Sequence, residues 1–530
     1  MVTEVSPKKN ELFSDDFKGS NEDVKRDITR AIKPNKSHDS LPRLKTKPKK
    51  ILLITPPGTL EESYGRLSGA AGELPMLGLA YIAAALRDQG NTVKIIDYEV
   101  NRWPMAKVCK DKDIEGFAPD IVGMTAYITN MRRCAEVAKI TKTTDPKISV
   151  ILGGPQVSIF PEEAFRSPDI DLIVLSEGEI IIRNVINALG DEEALKSVKG
   201  IWFKTASGAV IRNEKEGLVD DLDIFPPPAL DLFEMDKYFP PVHIRGKKVA
   251  HLLTTRGCPF KCTFCETKLT FGRSFRYHSR KRVFLELENL MQAGFTSFQF
   301  YDDIFTANRA IVVDLCEGIL ERGLKIEWSC FTRTDCIDRE LLKMMKKAGC
   351  YLISFGTEAG DDRLLENISK DLTVKDNFEG IKLTKDEGIQ VTTSFMLGLP
   401  NESYEQSLKT IEFAIDCGSD YAVFPITEPY PGTELWVDAH KFGYFDDSGK
   451  HQNNLLSENS AVWVPNGRSR KELETLSYKA NLKFYFRPRI VLNFIKNLYY
   501  LPMGRALRFY WASITYLFSR FKVVKSGARY

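Results

Sequence analysis

The chain of 530 residues is 43% hydrophobic and 27% charged, with a formal net charge of +3, a composition of folded globular proteins. At about 150 residues per domain the length implies three or so units, and the near balance of charge excludes a general affinity for polyanions. Three of the ten cysteines fall between positions 258 and 265. The other seven, at 109, 134, 316, 330, 336, 350 and 417, have no pairing rhythm, so a reducing, cytoplasmic setting is expected. Residues 1–49 are polar, rich in Lys, Asp and Ser and without the apolar run of a signal peptide, and read as a disordered tail.

From Lys50 onward the pattern is α/β. Ile51–Ile54 is a short apolar run ending in Thr55-Pro-Pro-Gly58, and Leu77–Leu86 is a helical stretch stopped by Gly90. Strands then follow at Val93–Asp97, Ile121–Met124, Ile148–Leu152 and Leu172–Val174. Strands alternating with helices predict a doubly wound parallel sheet over 50–190, whose ligand site lies beyond the carboxyl ends of its strands. Those ends read Thr55-Pro-Pro-Gly58, Thr125-Ala-Tyr127, Gly153-Gly154-Pro155 and Ser176-Glu177-Gly178-Glu179. Glycines there admit close backbone approach to a bulky ligand, and hydroxyls can hydrogen-bond one. Residues 191–245 read as a connector with a hairpin, Ile201-Trp-Phe203 and Ala209-Val-Ile211 around Ser207-Gly208, and Pro226-Pro-Pro228 marks a boundary.

The next stretch carries the strongest chemical signal. A buried strand, His251 to Thr255, turns at Arg256-Gly257 into Cys258-Pro-Phe-Lys-Cys262-Thr-Phe-Cys265. Thiolates are soft ligands, and three of them can hold three irons of a 4Fe-4S cube while leaving the fourth open. A zinc site is the alternative, but zinc usually takes four ligands and His278 is the sole His or Cys within about twenty residues downstream. Strands at 249–255, 297–301, 326–331, 351–355, 390–396 and 421–426 alternate with helical stretches such as Arg282–Ala293 and Arg339–Ala348, giving six β/α units over 246–455.

The C-x3-C-x2-C motif, with Phe264 before its last Cys, and the six units that follow resemble the radical S-adenosylmethionine (SAM) enzymes. In that family the open iron chelates the amino and carboxylate groups of SAM, in a partial (β/α)6 barrel. The preceding sheet, through Gly69–Gly78, Gly153-Gly154-Pro155 and the Ser-Glu-Gly-Glu run, resembles the cobalamin-binding domain of one large branch of these enzymes; a generic flavodoxin-like sheet is the plainer reading. The resemblance implies three cofactors, a 4Fe-4S cluster, SAM and cobalamin. It implies cobalamin contacts at Thr125, Gly153, Gly154, Glu177 and Gly178. It puts Asp302 or Asp303 near the SAM ammonium, Glu358 at a polar SAM contact, and Gly398 to Pro400 beside the adenine. Arg333 would either fork onto the SAM carboxylate or form a structural ion pair. None of the six histidines lies in the first sheet, so no protein imidazole is expected on cobalt.

By the same resemblance, one electron from a donor such as a flavodoxin or ferredoxin would cleave SAM to methionine and a 5′-deoxyadenosyl radical that abstracts hydrogen from carbon. A C-methyltransferase would then pass a methyl from methylcobalamin to the substrate radical; a radical cyclase would close a ring without methyl transfer; a cobalamin sensor or scaffold would do neither. Residues 456–530 are a basic, aromatic-rich helical extension, with eleven Lys or Arg and no acidic residue after Glu474. Its longest uncharged stretch, Phe509–Ser519, is shorter than the roughly twenty residues that span a bilayer. Three readings stand: helices packed on the barrel with a solvated basic face, peripheral attachment of residues 480–530 to an anionic inner membrane surface that brings a lipid substrate within reach, and, less favoured, nucleic acid.

Overall fold

The computed structural model describes residues 41–60, 71–108, 116–246, 248–446 and 461–497. The polar tail up to residue 40, Gly69 and the basic aromatic stretch from 498 onward lie outside them. In the first sheet, β1 (Lys50–Thr55), β2 (Thr92–Asp97), β3 (Ile121–Thr125), β4 (Ser149–Gly153) and β5 (Leu172–Val174) are parallel in the order β2-β1-β3-β4-β5. Alternate residues of β1 reach opposite faces, and both faces are covered. Ile51 and Leu53 pack with helices Leu77–Asp88 and Gly178–Ala188, while Leu52 and Ile54 pack with Met131–Thr144. This is why the strands read as apolar runs without alternation.

The hairpin expected in the connector is part of this sheet. β6 (Ile201–Lys204) pairs antiparallel with β5, and β7 (Val210–Arg212) with β6. Ile201 and Phe203 face the core, which draws the hairpin onto the open edge.

The second sheet comprises β8 (Val249–Leu252), β11 (Ser297–Phe300), β12 (Glu327–Thr332), β13 (Cys350–Glu358), β14 (Gln390–Phe395) and β15 (Tyr421–Val423), all parallel and adjacent in sequence order. Between β8 and β11 the chain makes a two-stranded ribbon of β9 (Thr255–Arg256) and β10 (Arg276–Tyr277), so the strand expected over 249–255 is broken in two. Outward residues such as Ala250, Phe298, Trp328, Ile353, Val391 and Ala422 join one large core under the helices. The inner face carries His251, Gln299, Ser354 and Thr392 instead. The floor is sealed by Ile244, Val249, Tyr351, Leu352 and Tyr421.

The C-terminal extension is not separate from the barrel as far as it is described. Helix Arg470–Tyr485 contributes Leu476, Ala480 and Phe484 to the barrel core, and Ile490 from Pro488–Asn497 joins them. A boundary at 455/456 also cuts across the pairing of Gly443–Phe445 with Trp463–Pro465.

Candidate functional site

The cysteine loop leaves the carboxyl end of the ribbon strand β9. Gly257 turns it at φ +88, where an added Cβ would stand 2.1 Å from the Ser274 carbonyl oxygen, so the turn admits glycine alone. The loop is tied down at its centre: Thr263 N–H donates to Ile368 O at 3.0 Å, and its carbonyl accepts from Leu435 N–H at 3.0 Å. Phe264 packs against Ala359, Leu364, Leu365, Ile368 and Leu399, anchoring the loop on the barrel. Burial pushes the Cys258 thiol up to about 12, with Cys262 and Cys265 adding to the shift. Burial raises the Cys265 thiol as well, so a cationic cluster bound here would have to hold these two as thiolates. His278 is not among them, since its Nδ1 lies 3.0 Å from Asp223 Oδ1. Among the described residues no three His, Cys, Asp or Glu side chains are grouped as ligands of a single ion.

Asp302, expected at the SAM ammonium, is buried and braces the approach to this loop. Its Oδ1 accepts from Thr254 N–H at 2.8 Å, Thr254 Oγ1 at 3.0 Å, Thr255 Oγ1 at 2.7 Å and Thr255 N–H. Its Oδ2 has no partner among the described residues, and burial raises the carboxyl to about 6. Asp303 is exposed and accepts from Thr267 Oγ1 at 3.0 Å. Arg333 stacks on Phe260 of the cysteine loop at 3.9 Å and pairs with Asp335 at 3.0 Å, the structural ion pair of the two readings. Its Nη1, however, is buried without a partner. Asp302 Oδ2 and Arg333 Nη1 are thus an acceptor and a donor left without partners among the described residues, one beside Thr254 and Thr255 and one beside Phe260.

Glu358 sits at a bulge in β13 with φ +63 and receives Lys370 Nζ at 2.8 Å. Both are buried; burial works against the Lys370 charge, and the Glu358 carboxylate outweighs it, so the ammonium's pKa is raised. The Gly398–Pro400 turn is held by Glu402, whose Oε2 accepts from Gly398 N–H and from Leu399 N–H at 2.6 Å, while its Oε1 accepts from Ser407 Oγ at 2.8 Å. A Cβ on Gly398 would meet Leu473 at 3.1 Å, so the turn lies under helix Arg470–Tyr485, and the Pro400 carbonyl accepts from Asn367.

At the first sheet the strand order reverses between β1 and β3, the point where doubly wound sheets bind ligands. A cavity of about 620 Å³ opens there, lined by Thr55, Asp97, Tyr127 and Gln156 from the sheet and by Glu266, Tyr301 and Tyr430 from the barrel. Gly153 leaves its surroundings open, with only Val174 O near an added Cβ at 3.9 Å. Gly154 adopts φ +100 with an added Cβ 2.8 Å from Ala126 O, and starts the cavity-lining helix Pro155–Ile159. Thr125 lies beneath this turn, its carbonyl accepting from Asn130. These features fit a broad ligand laid over the strand ends. Glu177 does not face the cavity, because its carboxylate is taken by Arg256 and Arg276 of the barrel; Gly178 packs under Ile82.

Several site residues escaped the sequence reading. Lys370, Glu402 and Glu428 stand in loops without a motif of their own, and Tyr127, Tyr301 and Tyr430 come together only when the two units meet. Glu428, past β15, has an Oε1 with no partner among the described residues, and burial alone raises its carboxyl to about 8.

The B12 binding domain family matches residues 66–186 and the Radical SAM superfamily residues 252–414. The chain is 35% identical over 468 residues to the uncharacterized methyltransferase PH0819 of Pyrococcus horikoshii, covering 87% of this chain and 97% of that protein. It is 33% identical to the anaerobic magnesium-protoporphyrin IX monomethyl ester cyclase of Rubrivivax gelatinosus, over 69% of this chain and 67% of that protein. Among solved structures the fold resembles TsrM from Kitasatospora setae with cobalamin and a [4Fe-4S] cluster bound, at TM-score 0.62, 16% identity and coverage of 83% and 89%. It also resembles the cobalamin-dependent SAM radical enzyme OxsB, at TM-score 0.58 and 23% identity, over 74% of this chain and 55% of that one. With both units matched in the same order, and a relative matched over nearly its whole length, the chain belongs to the cobalamin-dependent radical SAM enzymes.

Proposed function

We propose that the protein is a C-methyltransferase that acts on an unactivated carbon of a hydrophobic substrate. The observation that carries this reading is the shared cavity: one space is lined by the strand ends that would hold cobalamin and by barrel loops next to the cysteine motif, Glu266 following Cys265 directly. When bound, the cluster and cobalamin would supply reductive cleavage of SAM and a transferable methyl group. Cys258, Cys262 and Cys265 would hold the cluster, and Asp302 Oδ2 and Arg333 Nη1 would receive the amino and carboxylate ends of SAM. Glu358, through Lys370, would keep a cation close to the Cys262 thiolate. Gly153, Gly154 and Thr125 would let the corrin approach the sheet, and the tyrosines 127, 301 and 430 would exclude water from a radical formed between them. Near end-to-end likeness to methyltransferases supports the reading, since the cytidylyl-2-hydroxyethylphosphonate methyltransferase of Streptomyces wedmorensis is also matched over 90% of its length, at 27% identity.

The 33% identity to a magnesium-protoporphyrin ester cyclase favours a second reading, oxidative ring closure without methyl transfer. Anaerobically reconstituted protein supplied with reductant, SAM and hydrophobic candidate substrates distinguishes them. Methyl transfer releases both 5′-deoxyadenosine and S-adenosylhomocysteine; a product formed with 5′-deoxyadenosine alone identifies the cyclase, and neither nucleoside sinks both readings. A flavodoxin or ferredoxin would serve as the electron donor.

We further propose peripheral attachment to an anionic membrane surface through the C-terminal region. No helix among the described residues is long and apolar enough to cross a membrane. Within residues 480–490, Ala480, Phe484 and Ile490 turn into the barrel core, so that stretch is shared between the core and the surface. Phe486, Val491 and Leu492 are exposed beside Arg487 and Arg489, an amphipathic start to that segment. A chain ending at Asn497 keeps every described helix, and equal pelleting of it and the full chain with anionic liposomes would exclude attachment through residues 498–530.

A further inference from the structure

Behind the cysteine loop lies a cluster of four buried charges that joins the two units. Arg256 closes β9 two positions before Cys258. Its Nη1 donates to Glu177 Oε1 at 3.0 Å and its Nη2 to Glu179 Oε1 at 2.6 Å. Arg276, across the ribbon, donates through Nη1 to Glu177 Oε2 at 2.6 Å and through Nη2 to Glu177 Oε1 at 3.0 Å. None of the four side chains is more than 7% exposed. The Arg256 guanidinium also lies 5.0 Å from the Tyr81 ring and 5.2 Å from the Phe225 ring.

Two cations and two anions cancel, so the cluster carries no net charge. Buried ion pairs often add little net stability over apolar residues, whereas a forked guanidinium between two carboxylates fixes direction as well as distance. The turn that supplies the carboxylates grips the cysteine loop on its other flank too. Ser176, at φ +61, donates from Oγ to the carbonyl of Thr270 at 3.3 Å, in the helix Thr267–Phe271 that follows Cys265. On the sheet side, Ser176 N–H donates to Ser158 Oγ at 2.9 Å, and Ser158 lies in the cavity-lining helix Pro155–Ile159. A continuous path therefore runs from the wall of the cavity, through Ser176 to Glu179, to both ends of the loop that carries the thiols.

We propose that Arg256 is a positioning residue: gripped by Glu177 and Glu179, it sets the cysteine loop against the carboxyl end of the first sheet, so that cobalamin at the sheet and SAM at the cluster strengthen each other's binding. A ligand seated against the Pro155–Ile159 helix bears on the 176–179 turn through Ser158, and so on the loop joined to it, and any such coupling is reciprocal. The inference rests on the cofactor assignment above.

The test is a SAM titration of the reduced, cluster-loaded full chain followed by electron paramagnetic resonance, with and without hydroxocobalamin. In the wild type, hydroxocobalamin lowers the apparent Kd for SAM about tenfold, inside the range of about 5- to 150-fold usual for coupled sites. Glu179→Gln removes one arm of the grip and leaves the pairs of Glu177 in place, and it brings the ratio towards one with iron content unchanged. Arg256→Lys keeps the charge but cannot serve both carboxylates at once, and gives an intermediate ratio. A wild-type ratio of one, or a wild-type ratio retained in Glu179→Gln, overturns the proposal. If Glu179→Gln does not hold its cluster, Arg256→Lys is judged by the same two outcomes. Absence of iron and sulfide or of a cobalamin spectrum in the wild type would instead defeat the cofactor assignment.

Discussion

The carboxyl ends of the two parallel sheets are finished by different means. At the first, the ligand-facing turn is shaped by backbone: Gly154 stands at φ +100 against Ala126, and Gly153 leaves its surroundings open. At the barrel, buried carboxylates brace the loops. Asp302 gathers four donors from Thr254 and Thr255, Glu402 gathers the N–H groups of the Gly398 turn, and Glu358 is locked to Lys370. The difference follows from what each end would hold. A broad corrin asks for room and close approach, whereas a zwitterion and a cluster of thiolates ask for fixed charges. Shape changes should therefore damage the first site and charge changes the second.

The largest effect is expected at the thiols. Cys262→Ala removes one of the three thiols proposed to hold the cluster, and anaerobic reconstitution should then yield iron and sulfide near background and no 5′-deoxyadenosine, with hydroxocobalamin still retained. Asp302→Ala comes next. It leaves two backbone N–H groups and two hydroxyls without an acceptor inside the protein, at about 1–3 kcal/mol for each such group before relaxation. Stability should fall by about 3 kcal/mol in denaturant melts, together with cluster content. Asp302→Asn, which can keep the Oδ1 acceptor, should lose about 1 kcal/mol. An alanine variant as stable as the wild type would remove the bracing role.

Gly154→Ala tests the other side of the comparison. Its Cβ would stand 2.8 Å from both Ala126 O and Thr125 Cγ2 in a left-handed conformation, a strain of about 1–3 kcal/mol. Hydroxocobalamin retention should fall while iron content stays at the wild-type level. Loss of both cofactors together would show that the two ends are not separately built.

The same contrast decides what was legible in the sequence. Strands β1, β3, β4 and β5 could be read because both faces are buried and the runs are largely apolar, and the glycines at 153 and 154 declare their turn directly. The cysteine motif stands out in the sequence because three thiols fall within eight residues of a chain with ten cysteines. The braces do not, because Lys370 stands twelve positions from Glu358 and Asp302 forty-seven from Thr255, distances that periodicity does not bridge. Glu177 was misplaced for a related reason: a carboxylate past a strand end suits a ligand and an arginine equally, and Arg256 and Arg276 are claimed only once the units meet. The hairpin at 201–212 was readable as a hairpin, but its pairing with β5 depends on which sheet edge is free.

The last effect expected depends on pH and separates two acids raised by burial, one on each sheet. Asp97, at the end of β2, accepts from Tyr238 OH at 2.6 Å and from the N–H groups of Glu99 and Val100, and burial still raises its carboxyl. Glu428, past β15, is raised to about 8 by burial alone. In the unfolded chain a glutamate titrates near about 4.3. Between these values the native state keeps a proton that the unfolded state has released, so stability falls as pH rises through this window and levels off above about 8. Glu428→Gln is neutral at every pH and should escape that loss. Its Tm should match the wild type near pH 4 and exceed it by a margin that widens as the pH rises towards 8. A Tm difference that does not change with pH would mean that Glu428 is ionised in the fold and that a partner charge offsets its burial. The barrel end would then be braced by charge at all four of these loops.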